Sequence, residues 1–88
     1  MWFIRLVKLK NPPSKQQTEW FDQKREEAMK WGVKFHDVFF TLGKYDVVSI
    51  FEAPDEKVAM RFAMSIAPEA TGQTLVAVAR DEVTGWFK

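Results

Sequence analysis

Cysteine is absent from the 88 residues, and histidine occurs once, as His36. Without a thiol there is no disulfide scaffold, no thiolate metal site and no cysteine nucleophile. A lone imidazole excludes multi-histidine metal sites. An excess of one charge is lacking too: 13 Lys+Arg against 12 Asp+Glu give +1, too little for a sequence-independent grip on nucleic acid. No apolar run approaches the roughly 20 residues of a membrane span, and no signal-peptide pattern opens the chain. The expectation is one domain over residues 1–88, cytoplasmic, with neither membrane nor nucleic acid as partner. Apolar residues at 47% against 28% charged are, by contrast, a composition that builds a core.

Trp2 to Leu9 alternates as a strand does, and Asn11-Pro12-Pro13 ends it. Ser14 is placed to cap a helix running to about Trp31, with Gly32 as its stop. On that helix Trp20, Phe21, Ala28 and Trp31 share one arc, while Asp22, Gln23, Glu26 and Lys30 point away. Val33 to Leu42 and Tyr45 to Ala53 read as strands, joined through Gly43-Lys44 as a two-residue hairpin turn. Pro54-Asp55 introduces a second helix, Glu56 to about Ala67, with Val58, Ala59, Phe62 and Ile66 on its core side. Thr71 to Arg80 is the last strand, before a short tail holding Trp86. The order β-α-β-β-α-β predicts a ferredoxin-like α+β fold, a four-stranded antiparallel sheet with both helices on one face.

The hairpin sets Phe40 against Val47 and Val38 against Ser49. Those pairs, with His36 and Phe51, form one face, assigned to the helices together with Trp2, Ile4, Leu6, Leu75 and Ala77. The other face then carries Phe3, Val7, Phe35, Phe39, Val48, Ile50, Val76 and Val78. So large an apolar patch on a small chain marks an interface. A homodimer, or a higher oligomer, joined sheet to sheet is the expectation. The same face carries Arg5, Asp37, Asp46, Glu52 and Arg80, and charges bound for burial need partners. Two readings stand: salt bridges at a rim, or a polar-ended pocket that orients a small-molecule ligand with Arg5, Asp46 and Glu52 at its edge.

From Thr41 to Met60 the run TLGKYDVVSIFEAPDEKVAM resembles the signature of the GYD-domain family, here Gly43, Tyr45 and Asp46. The first and last strands match that family in character. The resemblance implies a fold and a dimer of the α+β-barrel kind, in which two ferredoxin-like subunits stack their sheets. It implies no particular reaction. A ligand-binding or oligomerisation module is the leading expectation. A cofactor-independent monooxygenase or isomerase, as such barrels often host, is the alternative by fold analogy.

Elsewhere the chemistry is sparse. Gly43, Tyr45 and Asp46 serve first as a turn, glycine supplying φ > 0 and Asp46 accepting from hairpin amides or Thr41. No glycine-rich phosphate loop, calcium loop or nucleophile elbow occurs, so no cofactor and no metal are expected. His36 is expected on the helix side, a position that a one-residue slip would reverse. An RNA-recognition module shares this element order, but Asp46, Val48, Ile50 and Glu52 would repel or ignore RNA.

Overall fold

A computed structural model describes all residues, Met1–Lys88. Strand β1 (Trp2–Leu9) leads to helix α1 (Lys15–Lys30), strands β2 (Lys34–Phe40) and β3 (Val47–Glu52), helix α2 (Glu56–Ile66), strand β4 (Ala70–Ala77) and helix α3 (Arg80–Gly85). The sheet order is β2-β3-β1-β4 with every neighbouring pair antiparallel, which is the ferredoxin-like arrangement. No helix is long and apolar enough to cross a membrane.

Local chemistry sets the helix ends. Ser14 Oγ accepts from the Gln17 amide at 3.1 Å and Asp55 Oδ1 from the Val58 amide at 3.0 Å, each satisfying an amide that the first turn leaves without a partner. Beyond α1, Gly32 takes φ +95°, a conformation that costs other residues a steric penalty. The chain after β4 departs from expectation. It turns at Ala79 into α3, whose first turn carries Asp81 and Glu82 where carboxylates favour a helix start. Arg80 therefore belongs to a helix and not to the sheet.

The sheet registers correct the expected faces. Across the sheet, Val47, Ser49 and Phe51 of β3 do face the helices, with Val38 and Phe40 beside them in β2. In β1, however, the residues opposite those three are Val7, Arg5 and Phe3. Trp2, Ile4 and Leu6 point the other way. In β4, Thr74 and Val76 lie level with Arg5 and Phe3, which puts Leu75 and Ala77 on the open side. Strand β1 carries apolar residues on both sides and one cation on each, Arg5 and Lys8, so its own pattern does not orient it.

Strand β2 adds a second correction. A β-bulge between Phe35 and Asp37 shifts the ladder by one residue. Phe35 consequently turns into the core against Phe51 and Phe62, at ring-centroid distances of 5.7 and 5.2 Å. His36 moves to the open face, stacking on Trp2 at 4.5 Å and meeting Glu52 at 2.6 Å.

The core runs from an aromatic cluster at one end of the sheet to Val7, Ile66 and Ala70 toward the other. Phe3, Phe51 and Phe62 pack with Ala28, Val33, Ala53 and Ala59 beneath the C-terminal end of α1. Ala28 is the one fully buried residue of that helix. Toward its N-terminus α1 stands off the sheet, with Phe40 of β2 left 69% exposed.

Candidate functional site

Between the raised end of α1 and the sheet lies a cavity of about 310 Å³, at the small end of the range for ligand pockets. Its floor is the sheet. Its walls include Val7, Val47, Phe21, Phe35, Phe62 and Ile66, and α1 adds the polar Gln17, Thr18, Asp22 and Arg25. The wedge follows from sequence. Small residues at the far end, Ala28 on α1 and Ala59 on α2, let those helices pack closely, whereas Gln17 and Thr18 supply no apolar mass to fill the near end.

At the floor a polar row crosses the sheet. Thr74, Arg5 and Ser49 sit side by side on β4, β1 and β3. Arg5 is 6% exposed and Ser49 7%. Arg5 Nη1 donates to Thr74 Oγ1 at 3.0 Å. Arg5 Nε and Ser49 Oγ have no partner. Burial lowers the pKa of Arg5 below its ordinary value, because desolvation penalises the charged form; a guanidinium nonetheless stays protonated in proteins.

The five expected charged residues are dispersed. Arg5 does line an apolar-walled cavity, but on the helix side of the sheet. Asp46 borders a separate depression formed with Leu9, Lys10, Asn11, Pro12, Pro13, Phe40 and Thr41. Glu52 and Asp37 lie on the open face, Glu52 held by His36. Arg80, on α3, is exposed, and its one ion pair is with the adjacent Asp81, at 4.0 Å. Neither the shared rim nor a shared salt-bridge network forms. Of the expected interface residues, Phe39, Val48 and Ile50 are on the open face. Phe3, Val7 and Phe35 are core. Val76 lies on the helix side of the edge strand β4, and Val78 beyond that strand's end.

The Gly43–Tyr45–Asp46 segment is structural in a way that differs from the expected two-residue turn. The last strand-like bond is Thr41 N–H to Asp46 O at 2.8 Å, so Leu42 to Tyr45 form a longer loop. Gly43 takes φ +102° within it. Asp46 reaches neither its own hairpin's amides nor the Thr41 hydroxyl: its Oδ2 accepts from the Leu9 amide at 2.8 Å, and its own amide donates to Val7 O. The motif fastens the hairpin loop to β1.

Ser49 and Arg25, which line the cleft with Arg5, and Thr74, which accepts from it, are not among the expected residues. A signal existed for Ser49 and Thr74: small hydroxyl side chains on both strands flanking β1 are where a buried arginine finds room and acceptors. Reading it required the β1 register, which the hairpin alone does not set.

A four-stranded antiparallel sheet in this order, with α1 and α2 over one face and an open cleft between helix and sheet, defines a ferredoxin-like α+β domain. The GYD-domain family model matches residues 9–85, including the Gly43–Tyr45–Asp46 turn, and the chain belongs to that family. No curated protein matches the sequence.

Proposed function

We propose that this domain binds a small, partly apolar molecule in the cleft between α1 and the sheet, and that it does so as a homodimer joined through the open sheet face. The observation that carries the binding reading is the wedge itself. A chain that could close its core with one more large side chain at Gln17 or Thr18 instead leaves about 310 Å³ over a buried arginine. Interiors are otherwise packed to near-crystalline density.

The dimer reading has its own support. Ile4, Leu6, Val48, Ile50, Leu75 and Phe39 form one apolar surface with no helix over it, and Phe39 and Leu75 are 53% and 43% exposed. A second sheet would cover it.

Native mass spectrometry tests both parts at once. The expected result is twice the chain mass, with small-molecule adducts that Thr18→Trp, which fills the cleft, removes. A monomer at micromolar concentration overturns the dimer. Adducts that persist unchanged in Thr18→Trp overturn the cleft as the site.

A further inference from the structure

Packing does not account for the charge at the cleft floor. No carboxylate lies within 4.0 Å of the Arg5 guanidinium, and its only protein hydrogen bond is the one to Thr74. Beside it, the Ser49 hydroxyl is buried and also without a partner. A buried ion left unpaired is strongly unfavourable. Arg25, on α1, lines the same space with its Nε unpartnered, its guanidinium 4.9 Å from the Phe35 ring centroid and 3.9 Å from Asp22. Asp22 is the only acidic residue in the lining. Two guanidinium groups against one carboxylate leave the cleft with a single positive charge in excess.

We infer that the ligand is a small carboxylate with an apolar body, its carboxyl group set against Arg5 and Ser49 and its hydrocarbon part against Phe21, Phe35 and Val47. This rests on the cleft-binding reading above. The inference follows from matching each unsatisfied feature. A planar carboxylate accepts two bonds from a guanidinium and one from a hydroxyl. One negative charge offsets one positive charge, whereas a dianionic phosphate would leave an unpaired charge in an apolar space. Cations are repelled, and a neutral molecule leaves Arg5 as it is. The apolar walls then supply most of the burial energy.

The test uses octanoate and 3-phenylpropanoate, each beside its neutral amide, titrated into the wild-type protein and followed by amide NMR. Each acid is expected to bind about tenfold or more tightly than its amide, the size of one charge-assisted hydrogen bond. Shifts should concentrate at residues 5, 21, 35 and 49. Arg5→Met should abolish the preference for acid over amide, and Arg5→Lys should keep part of it. Equal affinities of acid and amide for the wild type overturn the carboxylate assignment while the cleft remains a binding site. Absence of cleft shifts with all four compounds overturns the binding reading and this inference together. A preference for acid that survives in Arg5→Met assigns the anion to another group and overturns the role of Arg5; because the wild-type comparison needs no variant, poor folding of Arg5→Met leaves the main test intact.

Discussion

The two faces of the sheet are finished in opposite senses. The face under the helices is covered, yet it holds a buried guanidinium with one hydrogen bond and a hydroxyl with none. The face without helices is uncovered, yet it is mostly apolar. Each face carries what the other's surroundings would suit. Two adjacent residues of β3 condense the difference: Phe51 is fully buried on one side, and Ile50 is half-buried on the other. Read together, they show that the isolated chain completes its fold at the aromatic end and leaves two surfaces unfinished. On the proposals above, one would take an anion with an apolar body and the other a second apolar sheet.

Substitutions can break that contrast. The largest effect is expected at Phe51, which stacks on Phe3 and meets Phe35 and Phe62. Phe51→Ala should cost about 3–5 kcal/mol in urea unfolding. Val48→Asp places a charge at the middle of the open face, and under the proposed dimer it should weaken association by about 3 kcal/mol. Light scattering should then report monomer with its circular dichroism unchanged; a mutant still dimeric at micromolar concentration would sink the sheet-to-sheet arrangement. Asp46→Ala removes a charged acceptor from the Leu9 amide and should cost about 2 kcal/mol in the same unfolding assay. A loss below about 0.5 kcal/mol would mean that water replaces the carboxylate there.

The smallest change sharpens the comparison most. Arg5 is a base whose charged form is disfavoured in the folded state, so the unfolded chain holds that proton more tightly and folding is opposed at neutral pH. Both states keep the charge throughout the ordinary pH range, so the penalty does not vary there. Arg5→Met should therefore raise stability by about 1 kcal/mol without ligand, measured as an increase in Tm. A fall in Tm would identify Arg5 as a structural donor to Thr74 and remove the argument that its charge awaits a partner.

Much of the architecture was legible in the residues. Caps at Ser14 and Asp55, the stop at Gly32 and the core stripe of α2 each follow from one local rule, and all are where those rules place them. The pairing of Phe40 with Val47 was legible as well, although the turn is longer than expected: the Leu42–Tyr45 loop is centred where Gly43-Lys44 is, so the register is the same. Relations across distant strands were not. Strand β1 has Trp2, Ile4 and Leu6 on one side and Phe3, Val7 and Leu9 on the other, so hydrophobic pattern cannot orient it. Its two cations fall one on each side, Arg5 and Lys8, and leave the tie unbroken. The bulge at His36 was hidden for a related reason: Phe35, His36 and Asp37 contain no glycine to announce an extra residue. The expected charged set was consequently placed on the open face, whereas Arg5, one of its members, lies on the helix side of the sheet.

That bulge also bears on how copies of the chain can meet. Strands β2 and β4 are the sheet's two edges, and an edge with regular unpaired amides invites another strand to add to it. In β2 the extra residue interrupts that row midway. In β4, Gly72 at φ +153° lies so near β1 that a Cβ there would meet Leu6 O at 1.8 Å, an irregular backbone that a docking strand would have to follow. Sideways growth of the sheet into a filament is thus discouraged at both borders, and under the proposed dimer the contact between copies falls on the open face, where pairing terminates after two.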